Sequence, residues 1–354
     1  MIKQKQKQKQ KQKMLRQSMA PYEKPNEKSS VVQLINTIVP FFALWFLAYQ
    51  SLAISYVLTL AIGVVAAGFL VRIFIIFHDC CHNSFFKNRR YNKVLGTITG
   101  VLTLFPYNQW AHSHSIHHAT SGNLDKRGIG DLWILTVDEY LEAPRSRRIA
   151  YRLYRNPFVM FVIGPIYVFL ITNRFNRKGA KRAERINTYI TNVAIALIVT
   201  VGCLTLGWQS FLMIQGPIFL ISGSLGVWLF YVQHQFEDSY FEADEEWEYV
   251  QAAVEGSSFY KLPKVLQWLT GNIGYHHVHH LSPRVPNYHL EAAHNNTEPL
   301  QNVPTITLRT SLESLRFHLW DEDQKKFVGF NHLKTFSREE RQKRVAVYSR
   351  ANVK

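Results

Sequence analysis

The sequence predicts an all-α integral membrane protein, with two transmembrane helical hairpins, four spans in all, interfacial helices and a histidine-rich cytoplasmic helical cap. Three observations carry this. Apolar runs long enough to cross a bilayer come in two pairs, near residues 31–49 with 52–72 and near 189–206 with 211–232. Ten of the fifteen histidines fall in three short clusters, each just beyond a long apolar segment. The excess of Lys and Arg that gives a net charge of +16 flanks the apolar stretches and does not line an aromatic groove. That placement suits anionic headgroups and excludes nucleic acid.

Val31 to Tyr49 is the first span, and Leu52 to Phe77 the second, interrupted only by Arg72. As a helix the second run reaches about 39 Å against roughly 30 Å of hydrocarbon. Its last turns should therefore leave the bilayer, carrying Arg72 to the headgroups and His78 just past them. Only Gln50 and Ser51 separate the two runs, so they form a tight hairpin. Tyr189 to Leu206 and Phe211 to Val232 make the second pair, joined by Gly207-Trp208-Gln209-Ser210, and the last helix runs on toward His234.

Two weaker runs remain. Val94 to Phe105 reaches only about 18 Å and is too short to cross. Pro157 to Ile171 is bounded by Arg155 and Arg174 and followed by Arg177, Lys178, Lys181, Arg182 and Arg185. If the three histidine clusters build one site, an even number of crossings must separate them. Both weak runs are then interfacial or re-entrant, and both termini are cytoplasmic; six crossings is the alternative. The Lys-Gln alternation from Lys3 to Lys13 lacks an apolar signal core and, with the rest of residues 1–30, reads as a disordered basic tail. Residues 31–310 form the membrane domain. Residues 311–354 form a cytoplasmic segment whose charged end, from Arg338, should be frayed. Cys80, Cys81 and Cys203 give no disulfide framework.

The chemistry lies in the clusters. His78 and His82 stand at i, i+4, and His114-x-x-His117-His118 and His276-x-x-His279-His280 share an H-x-x-H-H spacing. Neutral imidazole is the commonest transition-metal ligand, and these spacings put several on one helix face. Three such faces supply more imidazoles than one ion can take, which points to two metals beside a bilayer and to redox chemistry on a lipid. The zincin motif needs Glu after the first histidine, where Asp79 stands. His234 mirrors His78 on the second hairpin and joins the candidate ligands. His112 and His277 fall off the ligand face, and His289, His294, His318 and His332 read as ordinary surface or core residues. Asp79, Asp131, Glu237 and Asp238 are candidates to accept the second N–H of ligating imidazoles. Tyr107, Trp110, Trp133, Trp247 and Trp268 are interfacial anchors or lining of an internal tunnel. A metal transporter or a haem electron carrier would want ionisable groups within the spans, and the four runs hold no His, Asp or Glu.

These boxes, H-x-x-x-H, H-x-x-H-H and H-x-x-H-H in order, with Ser84-Phe85 after the first and Pro283, Pro286 and Tyr288-His289-Leu290 after the third, resemble the membrane fatty acid desaturase family over roughly residues 31–310. Within it the chain looks most like the bacillar acyl-lipid desaturases that place a Δ5 double bond in phospholipid acyl chains. The resemblance implies two non-haem iron ions held by His78, His82, His114, His117, His118, His234, His276, His279 and His280. It implies O2 as co-substrate, an acyl chain threaded into a tunnel, and a multi-pass enzyme of the cell membrane. Spacing alone leaves iron and zinc open. No dinucleotide fingerprint is present, so electrons come from a separate protein, and the basic cytoplasmic face suits an acidic ferredoxin or flavodoxin. A fatty-acyl hydroxylase using the same centre is the alternative.

Overall fold

The computed structural model describes residues 10 and 12–351, so most of the Lys-Gln tract lies outside the described residues. The protein is mostly helical. Helices α1 (Glu27–Ser51), α2 (Tyr56–Cys81), α3 (Arg89–Leu102) and α4 (Tyr107–Thr120) are followed by α5 (Arg145–Tyr154) and α6 (Gly164–Leu170). The second half carries α7 (Arg182–Leu206), α8 (Trp208–His234), α9 (Tyr249–Glu255) and α10 (His276–Leu281), then short elements and α11 (Arg338–Ala351).

Four helices, α1, α2, α7 and α8, are long and apolar enough to cross a membrane. Helices α1, α7 and α8 overrun the expected spans, because polar turns continue the helix beyond the apolar run, whereas α2 begins four residues late, at Tyr56, with residues 52–55 as the turn, and runs on to Cys81. Helix α2 is the centre of the bundle, packed between α1 and α8. Of its most apolar window 61% is buried by protein, against 6% for α7, whose residues Leu197, Val201 and Leu204 are exposed on the outside of the bundle. The second hairpin turns more tightly than four linking residues would allow. Gly207 alone breaks the helix, at φ 83°, a left-handed conformation open to glycine, and Trp208 already starts α8.

The weak runs do not form long straight helices. Helix α3 starts at Arg89, and the 157–171 region is a π-helical turn at Val159–Ile163 continued by α6, bent 69° from α5. By length and composition the bent pair allows a fifth span. Around the helices the cap carries two small sheets: β1 (Leu135–Thr136) pairs in parallel with β4 (Leu319–Asp321), itself antiparallel to β5 (Lys326–Val328), and β2 (Phe259–Lys261) pairs in parallel with β3 (Thr305–Thr307).

Three local expectations change. Arg72 does not reach out to headgroups. It is buried, donates to Thr37 Oγ1 at 3.0 Å and to the Trp268 carbonyl, and lies 4.0 Å from the Trp268 ring centroid. A buried guanidinium needs such acceptors, and here they tie α1 and the short helix Lys264–Leu269 onto α2. The described part of the tail is not free either. Met19 is fully buried among Val278, Leu281 and Leu300, with Leu15 and Tyr22 beside it, because these apolar residues interrupt the polar tract and gain from burial. The 338–351 stretch is helical and anchored where Arg344 meets Asp138 at 2.6 Å and Asp323 at 2.5 Å.

Candidate metal centre

The ends of α2, α4, α8 and α10 converge, and their histidines form two adjoining groups. His78, His82, His114, His118 and His279 bring one ligand atom each within 4.8 Å of one another, and so do His117, His234 and His280. His276 adjoins the second group, with its Nε2 3.0 Å from His234 Nε2. The groups touch where the His118 and His280 rings lie 4.3 Å apart.

Helix geometry explains the division. Successive residues turn by about 100°, so i and i+4 are about 40° apart while i+3 and i+4 diverge by about 100°. Adjacent imidazoles in H-x-x-H-H therefore cannot face the same point. In α4 the i, i+4 pair His114 and His118 joins the first group and His117 the second. In α10 the roles exchange: His276 and His280 lie at the second group and His279 at the first. The i, i+4 pair His78 and His82 completes the first group, and His234 the second.

The donor set fits a pair of transition-metal ions. All nine imidazoles are largely shielded, and burial together with mutual repulsion holds His82, His114, His118, His276, His279 and His280 well below the ordinary imidazole range. They stay neutral at physiological pH, with lone pairs free for a cation. Buried Nε2 of His82, His117 and His280 and Nδ1 of His118 and His276 have no hydrogen-bond partner among the described residues. His118 Nε2 meets both His114 Nε2 at 3.0 Å and His279 Nε2 at 2.9 Å, and a cation between such nitrogens satisfies what hydrogen bonding alone cannot.

Two of the four proposed carboxylate partners sit where imidazoles need them. Asp131 Oδ1 lies 2.6 Å from His117 Nδ1. Gly130, at φ 79°, makes this approach possible, since a Cβ there would come within 2.7 Å of the Ser113 carbonyl. Asp79 Oδ1 lies 3.3 Å from His78 Nδ1, while its Oδ2 accepts from Asn287 N at 2.7 Å and Asn287 Nδ2 at 2.8 Å. That carboxylate joins the first box to the loop behind the third. Glu237 and Asp238 do not serve: the chain leaves α8 at Gln235 into an exposed turn, and Glu237 lies 3.6 Å from Lys326 Nζ. His234 instead points Nδ1 at the Gly256 carbonyl, 3.1 Å away, a backbone group that sequence carries no signal for.

Of the proposed lining aromatics, Trp110 stacks on His114 at 4.2 Å. Tyr107 donates to the Cys80 carbonyl at 2.8 Å and Trp247 to the Ser121 carbonyl at 2.9 Å, while Trp133 packs on Tyr151. His277 is buried against His294, Nε2 to Nδ1 3.0 Å, His112 is partly exposed, and His332 pairs with Asp321 at 2.9 Å. His318 stacks on Phe330 and His289 faces the Tyr22 carbonyl.

Residues 32–307 match the model of the family described as fatty acid desaturase. The chain belongs to the fatty acid desaturase family. It is 72% identical over 320 residues to a fatty acid desaturase of Bacillus subtilis (strain 168), covering 90% of this chain and 91% of that one. It is 24% identical to the sn-1 oleoyl-lipid 12-desaturase of a Synechocystis strain, over 78% of this chain and 77% of that one. It is also 26% identical to the chloroplastic omega-6 fatty acid desaturase of Spinacia oleracea, over 66% of this chain but only 51% of the longer plant protein. This desaturase is thus an oxidoreductase, with histidine clusters able to hold metal at the end of a bundle of long apolar helices.

Proposed function

We propose that this desaturase introduces a cis double bond, at Δ5, into acyl chains of membrane phospholipids, with two iron ions held by the nine histidines His78, His82, His114, His117, His118, His234, His276, His279 and His280. The observation that carries the reading is the division of those imidazoles into two adjoining buried groups. When bound, the iron pair supplies the activation of O2 needed to take hydrogen from an unactivated methylene. The protein's own residues do the rest. Asp131, Asp79 and the Gly256 carbonyl hold three rings so that their other nitrogens face inward. Trp110, Phe74 and Phe77 build an apolar wall against the first group, suited to an acyl methylene and hostile to bulk water.

The desaturase sits in the cell membrane with both termini and the metal groups on the cytoplasmic side. Exposed Lys178, Lys181, Arg182 and Arg185 place positive charge at the start of α7, which suits an acidic ferredoxin or flavodoxin as electron donor. The test is gas chromatography–mass spectrometry of membrane fatty acids from a desaturase-free host with and without the protein. A new cis-Δ5 monounsaturated acid, lost with His276→Ala, is expected. A double bond elsewhere overturns the regiochemistry, and a hydroxylated acid moves the protein to the hydroxylase class. An unchanged profile with no iron in the purified protein overturns the whole reading.

A further inference from the structure

This inference rests on the proposed desaturation. In that reaction the acyl chain gives up two electrons and two protons, and a donor protein and solvent supply two more of each. Dioxygen takes up all four of each and leaves as two waters. Those waters form among imidazoles that are almost wholly shielded, with aromatic rings on one side. They need a way out that does not run through the acyl chain.

We propose that a passage through the 121–135 loop carries water between the second histidine group and the solvent of the cap, and that the Arg127–Glu139 ion pair latches it. A cavity of about 20 Å³, room for a single water, lies against His117 and His234. Arg127, Leu132 and Ile134 form its outer wall. The same three residues line the far side of a second, wider cavity of about 270 Å³, which opens outward past Asp125 and Arg147. The two spaces are thus a vestibule and an inner chamber sharing one wall, with Asp131 beside the chamber.

Arg127 holds that wall shut. Its guanidinium binds Glu139 in a bidentate pair at 2.7 and 3.0 Å and also donates to the carbonyls of Leu124 at 2.5 Å and Ile134 at 3.0 Å. One side chain therefore fastens both ends of the loop to Glu139, which closes the capping box with Thr136 at the start of the helix that begins at Val137. The pair is less than one-fifth exposed, so it is stronger than a surface ion pair while still within reach of solvent. The chamber mixes Arg127, Asp131 and Ser121 with Leu132, Ile134 and Phe230, polar enough to admit water and too narrow for an acyl chain.

The test is stopped-flow binding of azide, a small hydrophilic probe, to the iron-loaded, oxidised full-length protein, followed at the charge-transfer band. Leu132→Trp fills the shared wall and is expected to slow azide binding at least about tenfold while the saturated spectrum stays unchanged. Glu139→Gln loosens the latch and is expected to speed it, so a folding defect in the first variant leaves the second to decide. Unchanged binding rates in both variants, or changed spectra with unchanged rates, overturn the passage. If the azide kinetics respond as expected while no unsaturated acid is ever formed, the proposed reaction fails and the passage stands.

Discussion

Replacing Asp131 by alanine is expected to empty one metal position and leave the other. Asp131 meets His117 at 2.6 Å and fixes which His117 nitrogen faces inward. His117 belongs to the group completed by His234 and His280, whereas the five-histidine group uses no part of this contact. Loss of such an outer partner typically costs about 10–100-fold in metal affinity. At about 1.36 kcal/mol per decade this is roughly 1.4–2.7 kcal/mol. Asp131→Asn keeps an acceptor for the His117 N–H and loses only the charge, so its effect should fall between wild type and alanine. The assay is iron content by mass spectrometry after equilibration with a graded series of chelators, beside product formation in the desaturase-free host. One iron should leave at a lower chelator strength in Asp131→Ala, with activity falling in parallel. Retention of both irons on the wild-type curve would refute the assignment of Asp131 as the residue that orients His117. Simultaneous loss of both irons would refute the independence of the two groups.

Three further outcomes follow from the same structure. Glu237→Gln and Asp238→Asn lie in an exposed turn and should leave iron content unchanged and stability within about 0.5 kcal/mol, as denaturant titration would show; a drop in iron would restore them to the site. Met19→Ala removes a fully buried side chain from the cap core and should cost about 2–5 kcal/mol, read from denaturant midpoints of the solubilised protein, whereas no change would mean the segment is not docked. The metal-free protein should lose stability as pH falls from about 6.5. His114, His118, His279 and His280 are held well below that value in the fold, and His277 is lowered to about 3, mainly by burial. The unfolded chain, with ordinary imidazoles near 6.5, then binds more protons than the native one, so stability declines downward through that window toward about 3. Thermal midpoints by circular dichroism between pH 7.5 and 4 measure this, and a flat or rising profile on acidification would contradict it.

The spacing of the boxes was informative because a helix has one period, and histidines set against that period announce their shared faces before any packing is known. The paired apolar runs were legible for a similar reason, since bilayer thickness sets a length that no loop reaches by accident. Which of the four candidate carboxylates meets an imidazole was not legible, nor was the Gly256 carbonyl that His234 faces. Asp131 reaches His117 only because Gly130 bends the backbone close to α4, while Glu237 and Asp238, nearer in sequence to His234, are turned out to solvent. The polar character of the N-terminal tract concealed the docking of Met19, whose cluster partners in the cap lie more than 230 residues onward.

The sequence by itself determined that this protein carries four runs long and apolar enough to cross a membrane and places histidines at shared helical spacings beyond them, because hydropathy and helical period are local properties. Only the tertiary structure decided which imidazole joins which group, which carboxylate orients it and where Arg72 finds its acceptors. Those are contacts between helix ends and loops distant in the chain, and their geometry is set by how the four long helices pack.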